Sequence, residues 1–343
     1  MDLASGEVIA TFTTPGERGR VYASPNGQFG FILHRDENRV TLVHSGLTTV
    51  DHGDHEDLIQ GSPYIAATFN VGRQPTHFYA YGDDIAIYND QDGTIAILDQ
   101  RLLGVTLDFT EIVASEPDHG APIVWGDFVL SGQLRPGHVE IYRRDGTLVE
   151  IVEGCPRLHG QTRTRTVMAF GCSDGVLLFT ESDGELVATK LDNPPRSPEN
   201  ARVGTLVSHD ESPVLIGNFG SGIAIVAPEA ATLTAVELPA NPLGMHFVTG
   251  DNLLVLLTDG SLHELAPTTG EVRRSLQATA AFDPDFGIRP AMSVQGAYVY
   301  VTEPAAGQVH EVHLEDFEVA RTMTLGFTPF SIATLAIPGA VIH

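Results

Sequence analysis

A β-rich run, a two- or three-residue Gly or Asp turn and a second β-rich run recur seven times along the 343 residues. No other feature restricts the possible fold as much. The copies read "FGFILHRDENRVTLVHSG", "DIAIYNDQDGTIAILDQ", "FVLSGQLRPGHVEIYRR", "VMAFGCSDGVLLFTES", "PVLIGNFGSGIAIVAPE", "NLLVLLTDGSLHELAP" and "YVYVTEPAAGQVHEVHL". Their turns fall near residues 37, 92, 136, 174, 220, 259 and 306, a spacing of about 45 that is the length of a four-stranded propeller blade. Alternation and β-branched enrichment mark the runs as strands, and no segment sustains a helical period. An irregular β-sandwich has no need of seven evenly spaced hairpins. The chain is therefore expected to be all-β, a single β-propeller domain over residues 1–343.

Counting strands a to d outward from the axis, each hairpin supplies b and c. A following run such as "TLVEIV" or "EVRRSL" supplies d, and a loop, often with Pro, leads to the next unit. The two ends look like half-units. "GEVIATF" (6–12) resembles the d strand "FEVARTMTL" (317–325), and "FSIATLAI" (330–337) resembles an a strand. Paired with each other, these terminal strands would close the ring as a composite eighth blade. The alternative is seven blades, with the ends supplementing their neighbours; the reading adopted is eight. A start in mid-blade also predicts a native N-terminal segment upstream, including a secretion signal.

Charge narrows the partners. Nineteen Lys+Arg against 44 Asp+Glu leave a net charge of -25, which repels nucleic acid and anionic lipid. It attracts cations and basic surfaces, or serves solubility alone. No run approaches the roughly 20 apolar residues that a membrane span needs, so no membrane insertion is expected.

In a propeller the d-to-a loops converge on the axis at one face, the top, and the b–c turns share that face. The a–b and c–d turns lie on the bottom. Three consecutive d-to-a loops, "GRQPTHFYAYG", "EPDHGAP" and "CPRLHGQT", deliver His77, His119 and His159. His246 occupies the matching place in a further blade, because "THFYAYGDD" aligns with "MHFVTGDN". A single loop histidine is more often a satisfied polar residue than a ligand. Three at equivalent points of adjacent blades point to one shared metal. Neutral imidazoles with one carboxylate suit Zn²⁺, and Asp118 either completes the set or orients an imidazole from behind.

Cys155 lies in the loop that carries His159, and Cys172 closes the b strand that follows, just before the turn "SDG". A bond between them would close a loop of fewer than twenty residues, worth about 3 kcal/mol on the chain-entropy estimate. It would also fix the approach of His159 and point to an oxidising compartment. Two unpaired structural thiols are the other reading. "DHGDHEDL" (51–58) sets His52 and His55 among four carboxylates. It follows a c strand, so it belongs to a c–d connection at the bottom or rim. It is read as an accessory metal-collecting arm, with a solvated loop as the alternative.

At these residues the sequence resembles the AztD-type zinc metallochaperones, periplasmic β-propeller proteins of bacterial zinc-uptake systems. The likeness rests on "DHGDH" after the first hairpin, "PTHF" at 75–78, "HG" at 119–120, "CPRLHG" at 155–160 with "FGCSDGV" at 170–176, and "RPAMSV" near the end. It runs along nearly the whole chain, and the order and spacing of these short motifs make it specific. Membership implies zinc binding in the periplasm, hand-over to the zinc-binding protein of an ABC importer, and no catalysis. We expect a monomer that holds Zn²⁺ through His77, His119 and His159, with His246, Asp118 or water as the fourth ligand. Two other classes compete. A lactonase-like propeller enzyme would hold Ca²⁺ through oxygen, whereas these loops offer nitrogen. A protein-interaction propeller leaves the aligned histidines unexplained.

Overall fold

The structure, a computed structural model, describes residues 1–51, 53, 56–198 and 200–337. Seven four-stranded antiparallel sheets form the blades of one propeller. Blade 1 runs Arg20–Ala23, Phe29–His34, Arg39–His44 and Tyr64–Phe69. Blades 2 to 7 open with Pro75–Tyr81, Gly120–Trp125, Gln161–Arg163, Leu206–Val207, Pro242–Thr249 and Met292–Gln295. From blade 2 through blade 7 neighbouring first strands touch one another, so they line the axis. All seven hairpins read from the sequence are b–c pairs.

The burial pattern explains why those hairpins stood out. In blade 3 every residue of strand b, Phe128–Gln133, is buried, whereas strand d, Leu148–Val152, is largely exposed. Middle strands are covered on both faces by neighbouring blades and so read as near-continuous apolar runs. The core therefore lies between blades. Between blades 3 and 4, for example, Ile123, Leu130 and Val139 meet Phe170 and Phe179.

The blade count is seven, not eight. Among the described residues neither 6–12 nor 330–337 contributes a strand to any sheet. Residues 330–337 fill the seam between blades 1 and 7 instead. Val21 N–H donates to Ser331 Oγ at 3.3 Å, Thr334 N–H donates to Ser293 Oγ at 3.0 Å, and Leu335 packs over Gly30. At the other end, Arg321 of blade 7 donates to the carbonyls of Leu3 and Ala4. Alternating apolar residues suit an interblade seam as well as a strand, and that is why the ends read as half a blade.

"DHGDHEDL" does fall in the c–d connection of blade 1, where Leu47–Asp51 pairs with Glu56–Gln60 as a separate hairpin. His52 and His55 lie outside the described residues.

Cys155 and Cys172 are bonded, 17 residues apart, and both are fully buried in the core between blades 3 and 4. The bond ties the blade 3-to-4 loop to the end of strand b in blade 4. Backbone bonds from His159 N–H to Gly171 O (2.9 Å) and from Ser173 N–H to Pro156 O (2.8 Å) complete the tie. Replacing both cysteines with serine should lower the unfolding free energy by about 3 kcal/mol in urea denaturation. A loss below about 1 kcal/mol would show that the cross-link adds little to these backbone bonds.

Candidate metal centre

His77 lies near the start of the inner strand of blade 2, while His119 and His159 lie one and two residues before the inner strands of blades 3 and 4. Their ligand atoms all lie within 4.8 Å of one another, and each residue is half-buried. Two glycines make the approach possible. A side chain at Gly120 would meet the Tyr88 ring at 2.1 Å, so only glycine lets Tyr88 pass under the backbone that carries His119. Gly160 has φ +81, and a side chain there would meet the Gly204 carbonyl at 2.7 Å. The doublet His-Gly at 119–120 and 159–160 is thus a packing requirement of the axis.

Hydrogen bonds fix which nitrogen each ring offers. His119 Nδ1 lies 2.8 Å from Asp90 Oδ2, and His159 Nδ1 lies 2.6 Å from the Gly204 carbonyl. Both partners can only accept, so both Nδ1 atoms carry the proton and both Nε2 lone pairs face the axis. Asp90 is in turn approached by Arg35 at 3.3 Å. His77 Nε2 lies 2.8 Å from His119 Nε2. Since the latter is bare, His77 donates. A metal bonded to both atoms must replace that hydrogen bond, and His77 must then carry its proton on Nδ1. Tetrahedral Zn–N bonds of about 2.0–2.1 Å put neighbouring nitrogens about 3.3 Å apart, so the pair has to open by about half an ångström. The donor set fits zinc: three imidazole nitrogens, with a carboxylate orienting one of them from behind.

Burial, reinforced by the like charges of His119 and His159, pushes His77 down to about 3. His159 is also pushed below its ordinary value, mainly by burial and against the pull of the Gly204 carbonyl. At neutral pH these two rings are therefore uncharged and available as ligands.

The remaining candidates lie elsewhere. Asp118 is buried but accepts Arg135 N–H and Nε–H, both at 2.8 Å, and is not among the converging ligand atoms. His246 lines the same axial channel of about 900 Å³ as His77 and His159, but lower down. His77 stands opposite Tyr88, the fifth residue of Asp84–Asn89, whereas His246 stands opposite Leu254, the third residue of Asn252–Leu257. The a–b turn "VTG" is one residue shorter than "YAYG", and the apparent alignment hid that offset. His246 is solvent-accessible within the channel, yet desolvation by the channel walls and the nearby His209 hold it below its ordinary pKa. Asp90 and the Gly204 carbonyl were not anticipated from the sequence. Asp90 sits in the b–c turn "NDQDG", which also reaches the top face, so a search of those turns could have found it.

Fold and cluster together define a seven-bladed propeller with three histidines converging at one end of its axis. The chain is similar to the zinc chaperone AztD of Citrobacter koseri, with 25% identity over 358 aligned residues, covering 99% of this chain and 84% of that protein. The resemblance read from the motifs is thereby borne out. Two crystal structures of Citrobacter koseri AztD, one of them the apo form, superpose with a TM-score of 0.87 at 24% identity. Each covers 98% of this chain, and 94% and 93% of its own. BamB of Moraxella catarrhalis is a more distant likeness in fold, with a TM-score of 0.59 and 16% identity over 92% of this chain and 89% of its own. No protein-family profile matches. Among the described residues no helix is long and apolar enough to cross a membrane.

The depressed His77 carries a stability consequence. Its pKa falls from an ordinary 6.5 to about 3 on folding, so between those values the unfolded chain binds a proton that the folded chain does not. Its contribution is complete above pH 6.5 and is lost as pH falls toward 3. Metal-free protein should therefore lose stability over this window, and His77→Asn should flatten the slope in denaturation curves taken at stepped pH. An unchanged slope would mean that His77 is not held neutral.

Proposed function

We propose that this protein is a zinc carrier that binds one Zn²⁺ through Nε2 of His77, His119 and His159, with a fourth position left for water or an incoming ligand. The observation that carries this reading is the convergence of three nitrogens within 4.8 Å, two of them aimed by bonds from the opposite ring nitrogen. Similarity to a protein named a zinc chaperone supports it. Oxygen-seeking Ca²⁺ fits poorly, because the buried carboxylates nearest the histidines, Asp90 and Asp118, are already engaged with His119 and Arg135. That weighs against a lactonase-like enzyme.

The cargo reading extends to location and partner. The buried Cys155–Cys172 bond suits an oxidising compartment such as the periplasm. There the protein, as a monomer, would hand its ion to the zinc-binding protein of an ABC importer, without catalysing a reaction. A site with three protein ligands can pass the ion through a shared-ligand intermediate, so that no step releases bare Zn²⁺. His52 and His55 act in this scheme as an accessory collecting arm.

Competition against a chelating dye tests the assignment. His119→Ala should weaken zinc binding at least 100-fold while the circular dichroism stays unchanged; full affinity would refute the site. Asp90→Asn, which leaves the ligands intact but loosens the His119 ring, should cost about 10- to 100-fold. Changing both His52 and His55 to Ala should leave the tight site filled and slow loading at low zinc. Loss of the tightest zinc in that double variant, with retention in His119→Ala, would reverse the two sites.

A further inference from the structure

Three arginines in top-face connections of blades 1 to 3 are paired with carboxylates where they stand. Arg35 meets Asp90 at 3.3 Å, Arg73 meets Asp92 at 2.5 Å, and Arg135 meets Asp118 at 2.8 Å. Arg157 and Arg202 differ. Among the described residues neither has a carboxylate partner. Both lie in top-face loops, Arg157 in "CPRLHG" two residues before His159, and Arg202 in the loop joining blades 4 and 5.

Each is held in place. Arg157 is exposed and adopts φ 52, a left-handed conformation that non-glycine residues rarely take unless their surroundings impose it. The surroundings in this case are the disulfide-bonded loop. Arg202 is half-buried and lies against Gly204, where an added side chain would meet its Nε at 3.1 Å. Gly204 is itself fixed: its N–H and that of Thr205 donate to Asn218 Oδ1 at 3.0 and 2.6 Å, and its carbonyl receives His159 Nδ1. The two guanidinium groups sense each other, since Arg157, after burial, holds Arg202 below its ordinary value. Two cations without a carboxylate partner among the described residues, set beside a cation site, oppose metal binding. In a chain of net charge -25 they are two of a minority of cations, and both stand beside the ligand His159.

We propose that Arg157 and Arg202 are the docking point for a carboxylate-bearing segment of the protein that receives the zinc, which they steer to the open side of His159. This rests on the zinc-carrier reading. An acidic segment is repelled by most of this molecule and finds its attraction here, strongest when the site holds Zn²⁺ and weaker by two charges once the ion has left. The attraction therefore favours the loaded carrier and lets the emptied one dissociate. Arg157 stands on the exposed rim of a rigid loop, which suits a macromolecular partner better than an enclosed small anion.

The test uses the full chain with an end-blocked octaglutamate peptide as probe and an octaglutamine peptide as control, monitored by calorimetry. Zinc-loaded protein should bind octaglutamate, bind it less well at about 150 mM salt than at low salt, and ignore octaglutamine. Arg157→Asn with Arg202→Gln, asparagine being tolerant of the left-handed backbone, should weaken the peptide tenfold or more. Zinc affinity should stay unchanged or rise. Arg202→Lys in an otherwise native chain should retain peptide binding. Equal peptide affinity in the double variant would overturn the proposal. So would a tenfold loss of zinc on Arg202→Gln, which would make Arg202 a support for His159 alone. Displacement of the peptide by millimolar acetate or phosphate would overturn it in favour of a small-anion site. Failure of the unaltered protein to bind zinc at all would instead strike the carrier reading itself.

Discussion

Two hydrogen bonds govern the top of the axis: His119 Nδ1 to the Asp90 carboxylate and His159 Nδ1 to the Gly204 carbonyl. With the opposite nitrogen of each ring committed, the Nε2 atoms are turned inward, and three imidazoles that would otherwise find separate partners share one space. Each bond crosses from one blade to the next. Asp90 comes from blade 2 and holds the residue that begins blade 3. Gly204 comes from the approach to blade 5 and holds the residue that begins blade 4. The distances at the centre therefore depend on how blades 2 to 5 pack. The cores between those blades, with the disulfide built into one of them, hold the site's dimensions.

Electrostatics on two scales then shape what the site can hold. Over the whole molecule a charge of -25 draws cations toward the surface. At the centre, burial keeps His77 and His159 neutral, so no proton competes for those lone pairs near neutral pH. The nearest carboxylates are spent on an imidazole and an arginine instead of facing the axis. Among the described residues the result is a cluster of three imidazoles with no carboxylate among its converging ligand atoms. On the proposed reading, such a site would hold zinc and still give it up to a competing ligand.

Much of this was legible in the sequence. The hairpins were visible because their strands are covered on both faces, and the rule that d-to-a loops meet at the axis was enough to select His77, His119 and His159. The same rule put both cysteines at one end of one blade. What escaped has physical causes. Residues 6–12 and 330–337 alternate like strands because they pack into a seam, so an eighth blade was counted. His246 was matched to His77 by local letters, although a turn shorter by one residue moves it down the channel. Asp90 sits in a b–c turn, the other kind of connection at the top face. Gly204 acts through its backbone carbonyl, which leaves no mark on residue identity. Positions 52 and 55 could be weighed only by their place in the chain.

The most direct measurement is a crystal structure of zinc-loaded protein with anomalous data collected on both sides of the zinc absorption edge. The account predicts a peak about 2.0–2.1 Å from Nε2 of each of His77, His119 and His159. It also predicts that Asp90 and the Gly204 carbonyl remain bonded to the opposite ring nitrogens, and that the His77–His119 hydrogen bond is gone. A strongest peak elsewhere, with that hydrogen bond intact, would contradict it.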